Sequence, residues 1–159
     1  VLTSWSDDGT LREAIRIGKA SRRFDDTVVT AAVSMIDSLW QPNPAPTWVT
    51  CVPSLRRPEL VRDLAKRLAD QLHLPLVECI EKRRETEPQK RQENSVHQCR
   101  NLDGAFGTTG NMPPGPVILV DDMVDSGWTL TILAMVLRKA GSGPVFPFAL
   151  ASTAGGDDR

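Results

Sequence analysis

Apolar residues along the chain follow two kinds of spacing, and the change between them divides it. Up to Trp40 they recur every three or four positions. Thr10-Leu-Arg-Glu13 has the form of a capping box and opens a short helix ending near Ala20. Asp25 or Asp26 caps a second helix, whose apolar residues are Val28, Val29, Ala32, Val33, Ile36, Leu39 and Trp40. The stretch QPNPAP, Gln41 to Pro46, breaks that helix and acts as a stiff connector.

From Thr47 short apolar runs alternate with helical spacing. TWVTCVP predicts a buried strand, followed by the short loop SLRR. Pro58 and Glu59 open a helix carrying Leu60, Val61, Leu64, Leu68 and Leu72 on one face. LPLVECI, Leu74 to Ile80, predicts a second strand, and PVILV a third. A helix follows from about Gly127 to Ala140, stopped by Gly141, and PVFPFALA forms a last strand. Strands alternating with helices imply a parallel α/β sheet. The unbroken aliphatic run Val117 to Val120 fits a strand covered on both faces. The organisation expected is an N-terminal helical segment over residues 1–46, an α/β core over 47–152 and a disordered tail over 153–159.

One segment departs from both spacings. EKRRETEPQKRQENS, Glu81 to Ser95, contains no aliphatic or aromatic residue. Long loops of this kind inside a domain are lids, binding loops or plain disorder.

Composition narrows the class. A chain of 159 residues with 40% hydrophobic content suffices for one domain with a core. The net charge of -1 gives no global bias toward nucleic acid or acidic membrane. No apolar run reaches the length of a membrane span, and no signal-peptide pattern opens the chain. Cys51, Cys79 and Cys99 are odd in number and widely spaced, which reads as reduced thiols of a cytoplasmic protein. His97 with Cys99 lacks the further ligands of a zinc site. A start at Val1 suggests a piece of a longer protein.

Candidate chemistry concentrates in GPVILVDDMVDSGWTL, Gly115 to Leu130. Asp121, Asp122 and Asp125 repel one another at such spacing, and charges are costly to desolvate, so they call for a partner. A metal ion, a polyhydroxyl ligand or a capped helix each meets that need. In open α/β sheets ligands bind beyond the carboxyl ends of strands, where Asp121 and Asp122 fall. Asp125-Ser126-Gly127-Trp128-Thr129 then forms a turn into a helix, whose backbone N–H groups suit an anion. Asp121 to Asp125 also fits D-D-x-x-D, the magnesium motif of terpenoid synthases, but that motif sits within a helix of a larger all-helical protein.

VILVDDMVDSGWTL resembles the phosphoribosyl pyrophosphate (PRPP) motif of type I phosphoribosyltransferases: four hydrophobic residues, an acidic pair, two hydrophobics and a (T/S)-G-x-T loop. The resemblance implies the type I phosphoribosyltransferase fold, a mostly parallel central sheet flanked by helices with a small N-terminal helical hood. It implies that Asp121 and Asp122 contact the ribose hydroxyls, with Mg²⁺ held indirectly through PRPP or water. Asp125, Ser126, Gly127, Trp128 and Thr129 then surround the 5′-phosphate, and Asp125 assists proton transfer. Trp128 departs from the family's usual small or polar residue, and its bulk suggests a place toward solvent or a partner. VPSLRR occupies the place of the pyrophosphate loop, which would put Ser54, Arg56 and Arg57 at the leaving group. Lys82, Arg83, Arg84, Lys90 and Arg91 become a flexible basic lid, five cations against two acids between Lys82 and Arg91.

RETEPQ and RNLDGAF resemble ComF-type proteins of this class. WVTCVPSLRRPELV, ETEPQKRQENSVHQCRNLDGAF and VDDMVDSGWTL with RKAGSGPVFPFALAST are together similar to the C-terminal domain appended to some bacterial RecQ-family ATP-dependent DNA helicases. That resemblance implies helicase domains in a parent chain and DNA engaged through them. The motor itself is absent, since Gly18-Lys19 has Glu13 where a Walker A loop needs Gly. Three functions follow: a working phosphoribosyltransferase acting on a nitrogen nucleophile, a PRPP- or nucleotide-sensing module without chemistry, or an interaction domain of a helicase. Neither the acceptor nor the oligomeric state is encoded in a recognisable motif.

Overall fold

The computed structural model describes residues 9–54, 57–83 and 104–152. At its centre is the aliphatic run after Pro116. Strand β4, Val117–Val124, pairs in parallel with β1, Trp48–Cys51, on one side and with β5, Val145–Ser152, on the other. The order β1-β4-β5 leaves the middle strand in contact with both neighbours. Side chains alternate across a strand, so Ile118 and Val120 enter one core cluster and Val117 and Leu119 the other. All four are at most 1% exposed, as expected of a strand covered on both faces.

Three helices cover the first face: α1, Gly9–Ser21; α2, Asp26–Ser34; and α3, Pro58–Gln71. Ile15, Phe24, Val28, Val29, Leu60, Leu64 and Leu68 join Val49, Phe148 and Leu150 in a single cluster, so the N-terminal helices share a core with the sheet. Asp25 caps α2 by accepting from Thr27 N at 2.9 Å. Arg67 of α3 donates to Phe24 O at 2.7 Å and pairs with Asp26, which ties α2 to α3. Helix α4, Trp128–Lys139, covers the second face through Leu130, Leu133 and Leu137, against Trp48, Val117 and Leu119.

Three expectations change. The second helix passes into a π-helical turn, Met35–Trp40, closed by Gln41 N on Ile36 O. The extra residue in that turn rotates Leu39 outward, 79% exposed, and turns Trp40 inward against the edge of Phe146. The predicted strand Leu74 to Ile80 reduces to one bridge, Val49 with Leu76, because Pro75 has no N–H to extend the ladder. Its last residue instead starts β2, Ile80–Lys82, which pairs antiparallel with an unanticipated strand β3, Phe106–Thr108. Glu81 and Lys82, expected to open a loop, are therefore strand residues; positions 84–103 lie outside the described residues.

Candidate functional site

Because β1 and β4 are parallel, with Cys51 opposite Val120, their carboxyl ends lie side by side. Val52 N donates to Val120 O at 2.9 Å just beyond the last paired residue of β1. Whatever follows each strand is thus brought to one rim of the sheet. After β1 come Val52, Pro53 and Ser54, with Pro58 at the start of α3; after Val120 comes the acidic pair.

The pair does not sit in a loop. Pairing with β5 continues through Asp121 opposite Ala149 to Val124 opposite Ser152, so β4 runs four residues past the aliphatic run. Asp121 Oδ1 accepts from Asp122 N at 2.8 Å. Lys19 Nζ, from the last turns of α1, stands 3.1 Å from Asp122 Oδ2. The two side chains are 32% and 16% exposed, so this pair is largely withdrawn from water. Burial, then the charge of Asp122, pushes the Asp121 carboxyl up to about 7, against the Asp122 N–H and Lys19, which hold it down.

The turn into α4 follows. Asp125 and Ser126 are exposed, and Gly127 stands at the N-cap with φ 78, a left-handed conformation that glycine takes without steric cost. Thr131 N and Oγ1 both donate to Gly127 O, at 3.0 and 3.1 Å, and fix the first turn. Trp128 and Thr129 are half-buried. Trp128 was expected toward solvent or a partner; instead it packs against the cluster of Trp48, Leu130 and Leu133, because the helix start brings its indole onto the sheet's second face.

On the other side of the rim, Ser54 Oγ accepts from Arg57 N at 3.1 Å. Arg57 does not lie loose in solvent: its Nη1 donates to Lys19 O at 2.9 Å, at the negative end of α1. Arg56 falls outside the described residues. A cleft of about 210 Å³ opens between Cys51, Ser54, Pro58, Glu59, Arg62 and Glu78. Arg62 and Glu78 pair across it at 2.7 Å. Burial, then the nearby Glu78 charge, pushes the Cys51 thiol up to about 11, which keeps it protonated and a poor nucleophile near neutral pH.

Of the basic segment, Lys82 lies in β2 with Nζ 6.0 Å from the Phe106 ring centroid, and Arg83 donates to Glu81 at 2.7 Å. Arg84, Lys90 and Arg91 fall outside the described residues. Among the described residues no group of three or more His, Cys, Asp or Glu could hold a metal ion. Two adjacent carboxylates still suit Mg²⁺, which takes hard oxygen ligands and is bound through one or two carboxylates plus substrate phosphates. Among the described residues no helix is long and apolar enough to cross a membrane.

Lys19 is the site residue that sequence reasoning missed. It drew attention only as part of a failed Walker A loop. Nothing in a linear pattern pairs a lysine at the end of one helix with a strand a hundred positions on. The nearest signal is Gly18, where a Cβ would stand 2.5 Å from Phe24 Cδ1, so α1 must pack closely just before Lys19.

No family model matches the chain, and no curated protein matches it. Solved structures do. An adenine phosphoribosyltransferase from Trypanosoma brucei, in complex with AMP, pyrophosphate and ribose-5-phosphate, superposes with a TM-score of 0.55 at 16% identity, over 91% of this chain and 68% of that one. The adenine phosphoribosyltransferase of Leishmania tarentolae gives 0.51 at 15% identity, over 81% and 72%. The chain has the type I phosphoribosyltransferase fold. An allosteric regulatory enzyme of purine biosynthesis also matches, with a TM-score of 0.51 at 18% identity, and the similarity spans only 25% of that longer chain.

Proposed function

We propose that the rim formed by β1 and β4 binds PRPP with Mg²⁺ and serves phosphoribosyl transfer to a nitrogen nucleophile. The observation that carries this reading is one alignment on a single strand. β4 delivers an acidic pair at its carboxyl end, then a glycine turn with φ 78 into the N-terminus of α4. Carboxylates accept from sugar hydroxyls, and a helix N-terminus favours a phosphate. Asp121 and Asp122 would hold the ribose, Ser126 to Thr129 the 5′-phosphate, and Ser54 with Arg56 and Arg57 the pyrophosphate. Basic groups of the segment from Lys82 to Arg91 would exclude water from the departing pyrophosphate. Mg²⁺ bound with PRPP would offset the charge that develops on the leaving group. Asp125, exposed beside the turn, is placed in sequence to take the proton from the attacking nitrogen.

A second reading is a PRPP-sensing module that does not turn its ligand over. Trp128 favours it, because an indole packed at the first residue of α4 limits how the turn can rearrange during a catalytic cycle. Attachment to a RecQ-type helicase, with DNA reached through the parent chain, is a further proposal supported by the motif stretches from Trp48 to Thr153.

Calorimetry with PRPP and Mg²⁺ tests binding, and a pyrophosphate-release screen over nucleobases tests transfer. Asp122→Asn should abolish PRPP binding while circular dichroism and melting stay near wild type. A folded wild-type protein with no affinity for PRPP would overturn the proposal.

A further inference from the structure

We propose that Lys19 is a positioning residue of the sugar site: its ammonium orients Asp122 for the ribose hydroxyls and makes α1 a wall of that site. This rests on the sugar-phosphate reading of the rim and deepens it.

Two independent contacts converge on this residue. Its Nζ reaches Asp122 Oδ2 at 3.1 Å, in the carboxyl half of β4. Its carbonyl accepts from Arg57 Nη1 at 2.9 Å, beyond β1. One residue of α1 therefore joins both halves of the rim, the acidic half by its side chain and the basic half by its backbone. Solvent-exposed ion pairs contribute little, but Asp122 is 16% exposed, so the attraction here is less screened.

The position of Lys19 is fixed from behind. Ile15 and Gly18 are buried on the face of α1 that meets the core, and Gly18 lies close against Phe24. Any Cβ at Gly18 would meet the Phe24 ring, so the residue that follows is presented to the rim with little freedom. A carboxylate has two oxygens and about four acceptor positions, so occupation of Oδ2 by Lys19 leaves Asp122 able to accept from a ligand. The cation also offsets the repulsion between Asp122 and Asp121. The effect is transmitted through Asp122, so it should appear only with ligands that carry a sugar.

The test uses the 159-residue chain with two probes, ribose 5-phosphate and inorganic phosphate, by calorimetry at constant Mg²⁺ and pH. Lys19→Met should weaken ribose 5-phosphate about tenfold, the usual worth of one charge-assisted contact. Inorganic phosphate, which needs only the turn at Ser126 to Thr129, should change less than about twofold on the same scale. Lys19→Arg, which keeps the charge, should recover most of the ribose 5-phosphate affinity. Unchanged ribose 5-phosphate binding by Lys19→Met would overturn the inference. Equal loss of both probes with a lowered melting temperature would overturn it too, by assigning Lys19 a purely structural role. Wild-type protein that binds neither probe would instead remove the sugar-phosphate site, and the role of Lys19 with it.

Discussion

Asp121 is a half-buried carboxylate that the fold keeps at a cost. Its pKa lies at about 7, far above the ordinary carboxylate range, because burial and the neighbouring charge of Asp122 disfavour ionisation. The sign of the consequence follows from proton binding. Between about pH 4 and pH 7 the folded state holds a proton that the unfolded state has released, so stability falls as pH rises through this window. Each unit of such a shift corresponds to about 1.4 kcal/mol. Asp121→Asn removes the titration and should therefore raise the melting temperature at pH 8 more than at pH 5. Equal effects at both pH values, measured by thermal denaturation, would show that Asp121 ionises normally. A cation held near Asp121, such as the Mg²⁺ proposed to accompany PRPP, would favour the charged carboxylate that burial disfavours.

At the scale of elements, the sheet was legible because its signals are local and repeated. Val117 to Val120 announced a doubly covered strand, Pro58 marked the start of α3, and the Asp-Asp pair after an aliphatic run marked the rim. What escaped depended on partners distant in sequence. The length of β4 is set by pairing with β5 and not by its own composition, since Asp121 and Asp122 are poor strand formers. β3 is three residues stabilised by β2, too short for any periodicity to register. The π-helical turn changed the outward face at Leu39 without a sequence breaker. The packing of α1 likewise depends on contact, through Gly18 against Phe24, and yields a test. Alanine has the better helix propensity by about 1 kcal/mol, while overpacking costs typically ~1–3 kcal/mol. A Cβ 2.5 Å from a fully buried ring atom makes overpacking the larger effect. Gly18→Ala should destabilise by about 1 kcal/mol in urea denaturation, and a stabilised variant would mean that α1 packs more loosely than described.

For the whole molecule the balance of charge decides which polyanion it can bind by itself. The chain has 19 Lys and Arg against 20 Asp and Glu, so its attraction for nucleic acid is not global and must come from local groups. Several of those groups are already engaged within the protein: Arg57 with α1, Arg62 with Glu78, Arg67 with Asp26, and Lys19 with Asp122. A small polyanion would need only the rim, where the glycine turn leads into the N-terminus of α4. A duplex needs a row of unpaired cations. We predict that PRPP with Mg²⁺ at one hundred times its dissociation constant stabilises the protein by about 2.7 kcal/mol, read as a rise in melting temperature. DNA should bind the chain weakly and with steep salt dependence. Even three phosphate contacts imply a slope near about -2.7 in log affinity against log salt, so raising salt from roughly 50 to 200 mM should cost about fortyfold. Fluorescence anisotropy with a labelled duplex across that range measures the slope. Tight binding that survives the higher salt would place DNA recognition in this chain itself, against the proposal that DNA is reached through helicase domains of a parent chain.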